Sequence, residues 1–197
     1  MEIEEERADT LLNADTRIFF LLNSLAGKSK AGDFLIALLA EYMAYALLGG
    51  FLLALFFAPA FEYRKFQAFA IVFLAGLVSR FVFATLIRVF YKRRRPHHVH
   101  KVHAVLSEKS FSFPSGHSSF FYAFSSAMYL FDPALGAWFV AATAVMTVCR
   151  VVAGVHYLTD ILGGLFLGII TAILAYFFLA PHIVPHIVPL AAFALQL

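Results

Sequence analysis

Apolar runs about as long as a bilayer is thick recur through this chain from Phe34 to Ala180. The hydrocarbon core of a membrane requires about 20 consecutive, mainly apolar residues per crossing helix. It tolerates neither open sheet edges nor lipid-exposed irregular backbone. Most architectures are excluded at once. Of the 197 residues, 62% are hydrophobic and 14% charged, against roughly half and a quarter in a soluble domain. Buried helices of a soluble core are the competing reading, and the repeated run length disfavours it. The sequence therefore predicts an all-α, polytopic membrane helix bundle, with about five transmembrane helices plus an N-terminal interfacial helix.

Residues 1–9 read as an acidic tail; Met1-Glu2-Ile3-Glu4-Glu5-Glu6 lacks the basic-then-apolar order of a cleavable signal peptide. Insertion is expected to use the transmembrane helices themselves. Residues 10–26 are apolar at helical spacing but carry Asn13, Asp15, Arg17 and Asn23, which suits a helix lying in the interface. The expected spans are Asp33–Ala58, Phe66–Tyr91, Ser115–Phe131, Leu135 to about Val155, and about Tyr157 to Phe178. One membrane-embedded domain is expected over 10–180. The tail at 181–197 repeats Pro-His-Ile-Val, and its prolines forbid a regular helix. Cys149 is the only cysteine, which leaves neither an internal disulfide nor a cysteine metal site.

Alternation of the spans brings the 10–26 helix, the 92–114 loop and the 150–160 junction to one face. The 59–65 link, the Asp132 turn and the C-terminus fall on the other. Glu41, Arg80, Arg88, Arg150, His156 and Asp160 all lie in or at the ends of spans. Ionisable groups there are costly and normally line a polar cavity or pair with one another. Arg88, Arg95 and Arg150 share the first face, and a guanidinium fork matches phosphate oxygens without losing its charge near neutrality. Snorkelling explains any one of them; three converging with two histidines point to a site. Glu41 and Arg80 reach similar depth, about 12–15 Å from that face at 1.5 Å per residue. They are expected to form an intramembrane ion pair or to face one polar cavity, in a structural rather than a substrate-binding role.

Two short stretches carry chemistry. Phe113-Pro114-Ser115-Gly116-His117-Ser118-Ser119 puts a hydroxyl-rich turn and a histidine at a helix start, where free backbone N–H groups and the helix dipole favour an anion. His156 and Asp160 are four apart and so share one helical face. A carboxylate accepting the imidazole Nδ1–H leaves Nε2 free with its lone pair outward, the arrangement of a nucleophile or base.

These stretches resemble the phosphatidic acid phosphatase type 2 superfamily, whose signature is KxxxxxxRP, PSGH and SRxxxxxHxxxD. The chain reads Arg88-Val89-Phe90-Tyr91-Lys92-Arg93-Arg94-Arg95-Pro96, then Pro114-Ser115-Gly116-His117, then Cys149-Arg150 with His156 and Asp160 in register. It departs in having Arg88 for the usual Lys and Cys149 for the usual Ser. The resemblance implies that His156 attacks phosphorus to form a phosphohistidine, oriented by Asp160, and that His117 protonates the departing oxygen. It implies that Arg88, Arg95, Arg150, Ser115 and the Gly116 amide bind the phosphate, with no metal and no cofactor. A protonated His117 and a neutral His156 at the outset predict a bell-shaped pH dependence. His97, His98, His100 and His103 lack a carboxylate or cysteine set and read as polar loop residues near an anionic headgroup, not as a metal site. Lys92, Arg93, Arg94, Lys101 and Lys109 would draw that headgroup in.

A site at helix ends beside lipid implies a lipid phosphate or diphosphate. Leu22-Asn23-Ser24-Leu25-Ala26-Gly27-Lys28-Ser29, then Asp33 and Ala40-Glu41-Tyr42, resemble the bacterial undecaprenyl-diphosphatase branch. That implies hydrolysis of undecaprenyl diphosphate to the monophosphate used in cell-wall synthesis; phosphatidylglycerophosphate, phosphatidate and lipid A are the alternative substrates. The expected partners are the lipid substrate and membrane lipids, not nucleic acid. The expected place is the bacterial plasma membrane. The basic loop taken alone would point the site to the cytoplasm; with its charges assigned to function, Arg64 and Lys65 in the opposite link turn it outward, as in the family. A non-catalytic lipid-binding protein or transporter is the rival class, disfavoured by the full set His117, His156 and Asp160. A haloperoxidase-like use of the site is disfavoured by the spans.

Overall fold

The computed structural model describes residues 14–57, 63–179 and 181. The acidic tail, the first residues of the expected interfacial helix, most of the 59–65 link and nearly all of the Pro-His-Ile-Val tail lie outside the described residues. A short helix α1 (14–23) is followed by α2 (Lys30–Ala37), which continues through a π-helical segment, Leu38–Tyr42, into α3 (Met43–Phe57). Helix α4 (Tyr63–Leu77) likewise runs through a π-helical segment, Val78–Phe83, into α5 (Ala84–Phe90). A single turn, α6 (Pro96–Val99), opens the long loop, and α7 (Gly116–Phe131), α8 (Pro133–Val152) and α9 (Leu158–Leu174) complete the bundle.

Four continuous helical stretches are long and apolar enough to cross a membrane: Lys30–Ala54, Ala68–Phe90, Pro133–Val152 and Leu158–Leu179. They match four of the expected spans. The expected span Ser115–Phe131 is helix α7, and at 16 residues it is the shortest of the set. Eleven of its residues are buried, because α4, α8 and α9 all pack around it. A central helix need not meet lipid along its length, so it can be shorter and more polar than its neighbours. The lipid-facing surface is apolar instead: Phe90, Trp138 and Phe166 are all well exposed, which a bilayer accepts and water does not.

Two contacts lock α7 to α9 at the functional end. Ser115 N–H donates to the Asp160 carbonyl at 3.0 Å, and Ser118 Oγ donates to the Ile161 carbonyl at 2.7 Å. Gly164 and Gly168 permit the approach, since a Cβ there would lie 2.6 Å from Ser118 Cβ and from Ala123 N respectively. Small residues four apart let membrane helices touch backbone to backbone. Farther down, Phe51, Phe124 and Phe139 fill the core, with ring centroids of Phe51 and Phe124 4.7 Å apart.

The three segments expected on one face meet there. Asn23 Nδ2 donates to the carbonyls of Val152 (2.8 Å) and His103 (2.9 Å), and Val105 N–H donates to the Ala153 carbonyl at 3.0 Å. Helix α8 ends at Val152, three residues short of the expected boundary, because Gly154 adopts φ +87° and turns the chain into α9.

Candidate active site

The α8–α9 turn is held from outside by α1 and the loop. Arg93 donates to Asp160 Oδ1 (2.7 Å), Thr159 Oγ1 (2.6 Å) and Asp15 Oδ2 (2.7 Å), and its guanidinium lies 4.0 Å from the Tyr157 ring centre. Asp15 also accepts the Thr159 N–H at 3.1 Å and its hydroxyl at 2.5 Å. Asp160 Oδ2 accepts the Tyr157 N–H at 2.8 Å, so both carboxylate oxygens are fixed. Neither Arg93 nor Asp15 stands out in the sequence. Arg93 is one of four consecutive cations, and Asp15 is one polar residue of an amphipathic helix.

His156 is 1% exposed and sits between two partners. Its Nδ1 is 3.4 Å from Asp160 Oδ2, and its Nε2 is 3.0 Å from Arg95 Nη1. A guanidinium only donates, so Nε2 must accept, and the ring proton resides on Nδ1 toward Asp160. Burial, then the positive charges of Arg95, Arg150 and Arg88, hold the imidazole well below its ordinary pKa, which keeps it neutral at physiological pH. Arg95 is itself immobilised by donating to the Ser110, Phe111 and Val155 carbonyls and to Ser110 Oγ. Burial lowers its pKa to about 10, still cationic at neutrality.

Glu108 closes this side. Its carboxylate bridges Arg95, at 2.5 Å, and Arg150. Arg150, fully buried, also donates to the Ala40 carbonyl and to Glu41 Oε2, both at 2.9 Å. The expected Glu41–Arg80 ion pair is therefore not formed. Helix α8 packs on the π-helical segment that carries Glu41, and Arg150 reaches that carboxylate first. The other expected form holds: Glu41 and Arg80 line one cavity.

The turn before α7 supplies the remaining groups. Ser115 caps the helix, its Oγ accepting the Ser118 N–H at 3.4 Å, so that hydroxyl keeps its hydrogen to donate. Arg88 donates from Nε (3.1 Å) and Nη2 (2.6 Å) to the Pro114 carbonyl. A Cβ on Gly116 would lie 2.9 Å from Arg88 Nη2 and 3.3 Å from Arg80 Nη1. Two guanidinium groups thus crowd the start of α7, and glycine leaves them room there. His117 faces a cavity of about 230 Å³ lined also by Glu41, Arg80, Tyr45, Phe81 and Phe120.

The loop histidines are occupied separately. His97 and His98 lie against each other with ring centroids 4.1 Å apart and planes tilted by 59°, His100 bonds the Tyr157 hydroxyl at 3.1 Å, and His103 pairs with Asp33 at 3.0 Å. They brace the loop against α1, α2 and the α8–α9 turn rather than gathering around one point.

A polytopic helical protein that gathers two histidines, a buried carboxylate and several guanidinium groups at one end of its helices is, as a class, an integral membrane protein with a cluster of ionisable groups at that end. Residues 67–182 match the PAP2 superfamily. The chain is 32% identical over 166 residues to the undecaprenyl-diphosphatase BcrC of Bacillus subtilis (strain 168), covering 82% of each. It is 34% identical over 107 residues to the lipid A 1-phosphatase of Rhizobium etli, covering 51% of this chain and 44% of that one. Its fold matches a crystal structure of a PAP2-type phosphatidylglycerolphosphate phosphatase from Bacillus subtilis, with a TM-score of 0.63, 20% identity and 86% of each chain covered. The chain belongs to the PAP2 superfamily.

Proposed function

We propose that this protein is an integral membrane lipid phosphatase acting through a phosphohistidine, and that its substrate is a lipid diphosphate. His156 Nε2 attacks phosphorus, the bond to the lipid-side oxygen breaks, and His117 gives that oxygen its proton. Water then attacks the phosphohistidine, phosphate leaves, and the histidines regain their starting protonation. Asp160 retains the Nδ1–H throughout and offsets the positive charge that grows on the ring. Arg88, Arg95 and Arg150, with the Gly116 amide and the Ser115 hydroxyl, stabilise the equatorial oxygens. Positioning and charge stabilisation of this kind are what phosphoryl transfer mainly requires, and these three arginines supply the positive charge without a metal.

One observation carries the reading: Nε2 of the buried His156 bears the lone pair, because Arg95 on one side can only donate and Asp160 faces the other nitrogen. In this reading the reacting phosphate takes over the Arg95 and Arg150 donors that Glu108 holds in the resting state. The likeness to the BcrC undecaprenyl-diphosphatase over most of both chains favours undecaprenyl diphosphate, cleaved to the monophosphate at the outer face of a bacterial plasma membrane. Phosphatidylglycerophosphate, phosphatidate and lipid A remain the alternatives, since relatives named for two of them share the family or the fold.

Phosphate release from a panel of diphosphate and monophosphate lipids tests this, with His156→Ala as control and trapping of labelled phosphate on the protein by an alkaline detergent quench. The wild type should release phosphate and retain alkali-stable, acid-labile label, and the variant should do neither. Equal release by both on every lipid would exclude the enzyme.

A further inference from the structure

Arg80 stands apart from the other cations around the site. Arg93, Arg95 and Arg150 each contact at least one carboxylate within 4.0 Å. Arg88 has two hydrogen bonds to a carbonyl. Among the described residues the Arg80 guanidinium has neither an ion pair nor a hydrogen-bond acceptor, only the face of Phe81 at 5.6 Å. Glu41, the carboxylate beside it, is already taken by Arg150. An unpaired guanidinium at this depth is costly, and its backbone is specialised: Arg80 lies within the π-helical segment Val78–Phe83. Such insertions turn a side chain out of the regular helical register and recur at functional sites.

What Arg80 faces is defined. One end of the cavity is polar, with Glu41, Arg80 and His117, and the remainder is Ala44, Leu48 and aromatic rings. Tyr45 and Phe81 at its mouth are 65% and 61% exposed, so it opens sideways toward the acyl chains. Its volume of about 230 Å³ is below the usual range for an enclosed ligand pocket, roughly 300–1,000 Å³. It has room for an anionic group and the start of a chain whose length stays in the bilayer.

We infer that Arg80 and this lateral groove form a second phosphate subsite, which binds the phosphate that stays on the lipid when a lipid diphosphate is cleaved. The inference rests on the phosphatase reading above and extends it. His117 gives its proton to the departing oxygen, and His117 lines the groove, so the leaving group lies on that side. For a diphosphate the leaving group is a lipid monophosphate, whose oxygens carry negative charge next to the unpaired guanidinium. Arg80 Nη1 and Arg88 Nη2 both reach the start of α7, which puts the two subsites within the span of one diphosphate. Arg88 takes the reacting phosphate and Arg80 the retained one. A monophosphate lipid presents only an ester oxygen to Arg80 and gains far less from it. Arg80 is accordingly a specificity-determining residue for diphosphate over monophosphate.

Calorimetric titration of the purified full-length protein with methylenediphosphonate, which cannot be cleaved at its bridge, and with inorganic phosphate separates the subsites. The wild type should bind the diphosphonate at least tenfold more tightly than phosphate. Arg80→Gln should lose that preference, weakening the diphosphonate tenfold or more while phosphate affinity changes less than threefold, and Arg80→Lys should recover part of it. A wild type without the preference, or a variant that weakens both ligands equally or neither, overturns the subsite. If Arg80→Gln does not fold, Arg80→Met decides in its place, since a neutral side chain that preserves the preference also overturns the subsite. Lipid hydrolysis is read in parallel. Absence of phosphate release from every lipid, with the diphosphonate preference intact, would remove the phosphatase reading and leave the subsite standing.

Discussion

The five arginines at the helix ends fall into two groups. Arg93, Arg95 and Arg150 are paired: each holds at least one carboxylate, and Arg95 and Arg150 also hold backbone carbonyls, so their guanidinium groups are fixed in direction. Arg80 and Arg88 make no ion pair within 4.0 Å among the described residues and crowd the start of α7. The first group forms a frame around His156, and the second leaves uncompensated positive charge beside His117. On the proposed phosphatase reading, a site that binds an anion and yet keeps its nucleophile neutral benefits from this division. The frame sets geometry and lowers the basicity of His156, and the open pair provides attraction.

The largest break in the frame is its centre. His156→Asn should lower lipid hydrolysis about a thousandfold or more, the loss usual for a covalent nucleophile, with substrate KM changed little. The same residue sets the acid side of the pH profile. Its pKa lies well below the ordinary imidazole value in the fold, so the neutral form persists as pH falls through about 6.5. The acid limb of kcat/KM should therefore fall below the usual histidine range. Stability moves the other way: below about pH 6.5 the unfolded chain takes up a proton there that the folded chain refuses, so unfolding becomes easier as pH drops. An acid limb at 6.5 or above would mean that His156 is not held neutral by the frame.

Arg93 tests whether the frame is held from outside. Arg93→Ala leaves the buried Asp160 and Asp15 without their cation, which typically costs about 3–5 kcal/mol. Hydrolysis should fall on the order of tenfold to a hundredfold as Asp160 is released, a range set by the loss of orientation. In the Arg93→Ala background Asp15→Asn should cost much less than in the wild type. Thermal unfolding in detergent micelles reads the coupling, and equal costs in both backgrounds would mean that the tether is absent.

Glu108 sharpens the contrast, because it pairs with both Arg95 and Arg150. Glu108→Gln removes a charge that competes with the substrate phosphate. KM should fall about threefold to tenfold, the scale of a difference in one charge-assisted hydrogen bond, with kcat nearly constant. A rise in KM would identify Glu108 as an anchor of the loop instead.

How far the sequence reaches is visible in the same two groups. The spans follow from run length, because lipid permits so few alternatives, and alternation was enough to bring 10–26, 92–114 and 150–160 together. His156 and Asp160 were expected to share one helical face; His156 instead precedes α9, whose N-cap is Tyr157, and it meets Asp160 of the first turn across the helix start. Arg88 and Arg150 were legible through charge where lipid opposes it, and Arg95 through the resembled signature. Partner choice was not legible. Glu41 was expected to pair with Arg80 from depth alone, yet depth says nothing of azimuth, and α8 brings Arg150 to it. Asp15, Arg93 and Glu108 lie in polar segments where a charge costs nothing in isolation, so no local signal separates them from ordinary surface residues. The π-helical segments at Glu41 and Arg80 were equally silent, since ordinary α-helix formers fill them.

The smallest expected effect concerns Cys149, which stands where the resembled signature has serine. Successive residues on a helix point about 100° apart, and Arg150, buried and aimed at Glu41 and Glu108, fixes the inward direction. Cys149 is half-buried on the adjoining flank, and among the described residues its thiol makes no contact with Arg95, Arg150 or His156 by hydrogen bond. A hydroxyl there can bond back to a carbonyl of the preceding turn within α8 and need not reach the site. Cys149→Ser should thus change kcat/KM by less than about threefold and stability by no more than about 0.5 kcal/mol, the usual bound for a position away from special features. Paired with Arg150→Ala, the comparison is direct. If Cys149→Ser raised activity tenfold or more, the frame around Arg150 would extend to the flank of α8, and the division into a fixed group and an open group would need a sixth member.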